Sequence, residues 1–177
     1  MSAQEITGLQ SVVSMMTSYM AWANKSMLNS ASQLPPGEIV KPRQTRFGNI
    51  AHTFNHILVI EDIFRCHLEG RPHGYRARNT ETSPPFEEVR SRLEAMDQYY
   101  VELGERLSTE ELNETIRFEY VGGGDGAMTR QEIMLHLANH ATYHRGFISV
   151  MLYQVPFTGK ADDLSVFLRD AWPRLRR

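Results

Sequence analysis

Residues 135–151 read LHLANHATYHRGFISVM, in which His136, His140 and His144 recur every four residues within an apolar stretch. At about 100° per residue, a four-residue step turns a helix by only ~40°, so the three imidazoles share one face, one turn apart. Ile133, Leu137, Phe147, Ile148 and Met151 fall on that face with His140, while Asn139, Thr142, Arg145, Gly146 and Ser149 fall on the other. The histidine face is therefore the expected buried face. A buried imidazole needs a hydrogen-bond partner or a metal, because leaving a buried polar group unpaired costs about 1–3 kcal/mol.

The flanking sequence sets this helix in an all-helical frame. Apolar positions Leu9, Val12, Val13, Met16, Tyr19, Met20, Ala23 and Met27 predict a first amphipathic helix over residues 6–34, ended by Pro35, Pro36 and Gly37. Residues 38–46 read as a loop. Phe47, Ile50, Phe54, Ile57, Phe64 and Leu68 then repeat at helical spacing up to Gly70 and Pro72, and Glu61 falls on the same apolar stripe. Residues 71–85 are polar and proline-bearing, which predicts a surface loop, and Ser83-Pro84 suits the start of a third helix over residues 86–107.

Ser108-Thr109-Glu110-Glu111 has capping-box form, and Ile116, Phe118 and Tyr120 alternate with Arg117 and Glu119 before the turn at residues 122–126. These predict a short turn and a hairpin. A second capping box, Thr129-Arg130-Gln131-Glu132, opens the histidine-bearing fourth helix, expected to end near Pro156. Residues 162–172 predict one more short helix. The expected fold is all-α: a four-helix bundle with a short β-hairpin before the fourth long helix and a short C-terminal helix.

At 177 residues the chain is expected to form one domain, residues 1–177, with a full hydrophobic core. It is 41% hydrophobic and 23% charged with net charge −2, which gives no electrostatic case for nucleic acid or an anionic membrane. Partners are expected to be small molecules or proteins. Cys66 stands alone and the start MSAQEITGLQ lacks a secretory pattern, so a cytoplasmic location is expected. The longest aliphatic run, residues 57–60, falls far short of the ~20 residues that span a bilayer.

Two histidines four apart on a helix offer two metal ligands from one rigid surface, and a facing helix of a bundle can supply a third. The second helix offers His56 within its broad apolar arc, with His52 one turn earlier and His67 three turns later. Glu61 needs a partner for its carboxylate: a ligated histidine that it orients, a role as base, or a buried ion pair with an arginine such as Arg145. There is no HExxH and no pair of Glu-x-x-His motifs, so metalloprotease and di-iron templates fail. Cys66 lacks an activating partner and reads as a small core residue. Tyr19, Trp22 and Tyr143 read as core aromatics or as lining of a pocket. The glycine turn at residues 122–126 reads as a plain hairpin turn, with a lid over the site as the alternative.

Tyr19-Met20-Ala21-Trp22-Ala23-Asn24, Phe47-Gly48-Asn49-Ile50-Ala51-His52-Thr53-Phe54-Asn55-His56-Ile57-Leu58 and Asn139-His140-Ala141-Thr142-Tyr143-His144-Arg145-Gly146 resemble the DinB/YfiT-like metalloenzyme family. The resemblance covers nearly the whole chain. It implies an up-and-down four-helix bundle that carries a divalent metal, commonly nickel or zinc, on three histidines, often in a homodimer. Carried over by position, the ligands are His56, His140 and His144, with His136 and His52 as neighbours in the pocket. Two positions depart from the family ending, Tyr143 before the ligand and Phe147 after the glycine.

Relatives of this kind include thiol-dependent transferases and isomerases, in which a low-molecular-weight thiol is activated at the metal. Three readings follow: a metal-dependent transferase, isomerase or hydrolase; a non-catalytic binding or stress-associated protein stapled by the metal; and a metal-free network of buried histidines.

Overall fold

The computed structural model describes residues 8–156 and 162–176. Among them it is mostly helical, with one two-stranded antiparallel sheet. Four long helices, α1 (Gly8–Ser32), α2 (Ile50–Leu68), α3 (Phe86–Arg106) and α5 (Arg130–Leu152), enclose the main core. α1 and α2 each pack against both α3 and α5, which places the chain in the helical-bundle class. No helix among the described residues is long and apolar enough to cross a membrane.

The helix ends follow local chemistry. α1 stops at Ser32, just before Pro35 and Pro36; the expected start at Ile6 lies outside the described residues. The hydrophobic repeat of the second segment begins at Phe47, but α2 begins only at Ile50. Gly48 takes a left-handed φ of +75°, and the Asn49 side chain caps the helix by accepting the His52 backbone N–H at 2.7 Å. Phe47 is thereby left outside the helix. α3 starts at Phe86 without help from Ser83, whose hydroxyl makes no hydrogen bond among the described residues, and ends one residue before the expected Leu107.

Ser108 and Glu111 form the expected capping box of the short α4 (Thr109–Leu112). The hairpin follows, with β1 (Thr115–Glu119) paired to β2 (Asp125–Thr129) from Thr115 opposite Thr129 to Glu119 opposite Asp125. Gly126 belongs to β2 rather than to the turn. The Phe118 ring closes over it so tightly that a Cβ there would strike the ring.

Thr129 and Glu132 complete the second capping box, and α5 runs from there to Leu152, four residues short of the expected end. Arg145, expected on the outer side of α5, is buried. The reason is that α5 packs on two neighbours: Ile133, Leu137, His144 and Met151 form one stripe, and Met134, Ala138, Ala141, Arg145, Ile148 and Leu152 form a second. The expected tail helix is α6 (Leu164–Asp170), and a further short helix, α7 (Trp172–Leu175), follows after a break at Ala171. Pro173 explains the break, since it has no N–H to bond and its ring would clash with the carbonyl four residues back. Phe167 of α6 packs on Tyr19 and Trp22 in a satellite core.

Candidate metal centre

α2 and α5 bring three imidazoles to one point. His56 Nε2 lies 3.1 Å from His140 Nε2 and 3.1 Å from His144 Nε2. The three ligand atoms all fall within 4.8 Å of one another, and His56 and His144 are buried while His140 is half-buried. His56 Nδ1 lies 2.6 Å from the Arg78 backbone oxygen. A carbonyl can only accept, so Nδ1 carries the proton and Nε2 presents its lone pair to the other two rings. Phe47, freed from the helix, stacks on His56 with ring centres 4.2 Å apart, and its centre is 5.5 Å from that of His144.

The electrostatics keep these rings neutral. Burial, with the neighbouring rings His144, His56 and His136, pushes His140 down to about 2. Burial, then His56 and Arg46, pushes His144 down to about 4. His56 is lowered by burial as well, with the Arg78 carbonyl opposing and Arg46 and Arg78 adding to the shift. Neutral imidazole is the form that donates a lone pair to a metal.

The donor set fits a divalent ion. Two nitrogens each about 2.0–2.1 Å from a shared ion stand about 3 Å apart, the separation found here. In a purely hydrogen-bonded triad His56 Nε2 would accept from both partners; the Nδ1 atoms of His140 and His144 are buried without a partner among the described residues whether or not an ion is held.

A cavity of about 350 Å³ opens beside the triad. Ile60, Ile63, Phe64, Phe118 and Val121 form its apolar wall, and Arg46 and Arg78 also reach its lining. The hairpin is thus part of the wall, through Phe118, Tyr120 and Val121 rather than through the glycines of the turn. Phe118 is held there by an edge contact to Phe64 at 5.5 Å and a stack on His67 at 4.6 Å.

The remaining histidines divide by place. His136 lines the cavity, its ring centre 5.7 Å from that of His140, and burial lowers its pKa. His52 does not line it; its Nε2 lies 3.1 Å from the Thr80 backbone oxygen, tying the α2–α3 loop to α2. Tyr143 lines the cavity with its edge against His144, whereas Tyr19 and Trp22 pack on Phe167. Cys66 is 1% exposed, and burial raises its thiol pKa.

Glu61 is not brought to the triad. It is fully buried, lines no part of the cavity, and neither oxygen has a hydrogen-bond partner among the described residues. Burial pushes its carboxyl well above the usual range, and the charge of Asp97 adds to the shift while Arg145 and Asn24 oppose it. No ion pair joins Glu61 to Arg145 among the described residues; the Arg145 guanidinium donates instead to Asn24 Oδ1 and Thr142 Oγ1, each at 2.8 Å. Arg46, Phe47, Arg78, Phe118 and Tyr120 are site residues that the sequence did not mark. Arg46 and Arg78 sit in irregular loops, where no periodicity says which way a side chain faces.

A model of the DinB family matches residues 5–174. Protein DinB of Bacillus subtilis (strain 168) is 26% identical over 155 residues, covering 85% of this chain and 90% of that protein.

Proposed function

The chain belongs to the DinB family, and from that premise we propose that it is a metal-dependent enzyme with zinc or nickel on His56, His140 and His144. The bundle is read as an up-and-down four-helix arrangement in one domain, residues 1–177, that works as a cytoplasmic homodimer. The reaction is a transfer or isomerisation of a small molecule with a low-molecular-weight thiol as the nucleophile, or a hydrolysis with water in that place.

The observation that carries this reading is the convergence of three Nε2 atoms at the edge of a cavity. His56, His140 and His144 would hold the ion as neutral imidazoles and leave it its full positive charge, with which it would acidify a bound thiol or water or polarise a carbonyl. The protein's own groups do the rest. The Arg78 carbonyl fixes the tautomer of His56, Phe47 packs against its ring, and the wall of Ile60, Ile63, Phe64 and Phe118 limits water. A staple that only joined α2 to α5 would need no ligand-sized cavity at its side, which speaks for a small-molecule site over a purely stapling role.

The test is elemental analysis of untagged wild type, His140→Ala and His144→Ala, prepared without chelator. Near-stoichiometric zinc or nickel in the wild type, lost in both folded variants, is the expected result. Cobalt-substituted protein should then change its visible spectrum on adding a small thiol. A closed, thiol-inert centre would leave only the stapling role, and absence of metal after dialysis against zinc and nickel would refute the centre itself.

A further inference from the structure

The cavity beside the triad carries fixed charge of one sign. Among the described residues Arg46 and Arg78 reach its lining and no Asp or Glu does, in a chain with 21 acidic and 19 basic residues. Arginines elsewhere, such as Arg43, Arg65 and Arg130, are paired with carboxylates. Among the described residues, neither Arg46 nor Arg78 has such a partner.

Both residues stand on loops tied to the centre. Arg78 gives its backbone oxygen to His56, and its loop is held to α2 by Asn55 Nδ2, which donates to Thr80 Oγ1 at 2.6 Å. The Arg46 guanidinium lies 5.7 Å from the centre of the Phe47 ring, which itself stacks on His56. Both charges are felt at His56, where each opposes protonation. Ile60, Ile63, Phe64, Phe118 and Val121 give the cavity its apolar lining.

We infer that the cavity binds a small carboxylate with an apolar body, the carboxylate held by Arg46 and Arg78 and the body against Phe64 and Phe118. This deepens the proposed function and rests on reading the cavity as the chamber of the histidine centre. A guanidinium matches a carboxylate in plane with two parallel donors, and two of them without a carboxylate partner among the described residues are available for one anion. The volume, about 350 Å³, lies near the lower end for ligand pockets and suits a metabolite-sized molecule. The apolar wall favours a ligand with hydrocarbon or aromatic surface over a bare inorganic anion.

The test uses 3-phenylpropionate and the neutral 3-phenylpropionamide, titrated by calorimetry into metal-free and zinc-loaded protein. The acid should bind metal-free wild type about tenfold or more tightly than the amide, the scale of one charge-assisted hydrogen bond. In Arg46→Gln/Arg78→Gln that preference should fall to within about twofold while zinc content stays at the wild-type level, and Arg46→Lys/Arg78→Lys should keep part of it. Equal binding of acid and amide overturns the inference. So does a preference that survives the double glutamine variant, or one seen only with zinc, which would mean that the acid ligates the metal. A preference in protein that takes up no zinc would refute the metal centre and leave the anion site standing.

Discussion

Asn24 on α1 donates its side-chain amide to Asp97 Oδ1 on α3 at 2.9 Å, while its own carbonyl accepts from Arg145 of α5 at 2.8 Å. With Glu61 of α2 beside them, each long helix contributes one polar residue to a buried layer. Arg145 follows the proposed ligand His144 directly in the chain, so this layer also anchors the helix turn that carries the histidine. Asn24→Ala leaves Asp97 and Arg145 each short of a partner in the interior. It should cost about 2–3 kcal/mol in urea unfolding, and an unchanged midpoint would show that Asn24 is dispensable.

The layer also sets a pH dependence. Burial raises Asp97 from 3.8 to about 7, with Asn24 and Arg145 opposing, and pushes Glu61 well above 4.5. A raised folded pKa means that the native state holds protons the unfolded chain has released. The associated stability is full below about pH 4 and is lost as pH rises through about 7, at roughly 1.4 kcal/mol per pH unit for each extra proton. Asp97→Asn, which mimics the protonated side chain, should flatten the decline between about pH 4 and 7 in unfolding curves taken across a buffer series.

Metal retention should extend well into acid. An isolated imidazole is more than half protonated below about pH 6.5, but His144 is held down to about 4 and His140 to about 2. These are depressed folded values, so protons displace the metal only as pH falls towards them. Equilibrium dialysis followed by elemental analysis should find the ion kept at pH 5.5 and lost by about pH 4. Release centred near pH 6.5 would mean that the rings are not shielded.

Gly126→Ala tests the hairpin wall. The new methyl meets the Phe118 ring and must displace it, at a cost of about 1–3 kcal/mol for overpacking. The same shift should weaken 3-phenylpropionamide more than it changes zinc content, because Phe118 touches the cavity but no ligand histidine is moved. Equal loss of both would place the hairpin in support of the metal centre itself.

Much of this architecture was legible in the chain because it is written locally. Helical spacing marks the four long helices, and capping boxes at Ser108 and Thr129 mark two starts. The alternation at residues 116–120 marks the hairpin, and the four-residue step puts His136, His140 and His144 on one face. The choice of His56 over His52 came from the family resemblance, since both lie within reach of the same helix face.

Three decisions belonged to the tertiary structure alone. Arg145 is buried because α5 has two neighbours, and a periodicity read along one helix cannot count them. Glu61 joins Asn24, Asp97 and Arg145 rather than the histidines because helix rotation, not sequence distance, selects which face it meets. Arg78 reaches the cavity because its loop is pinned to His56 by a hydrogen bond, and Arg46 reaches it beside the Phe47 ring that stacks on His56; loop direction has no period to read. Periodicity, caps and turns act over a few residues and are carried by the sequence; a charge or ring that meets its partner across the bundle is placed by packing.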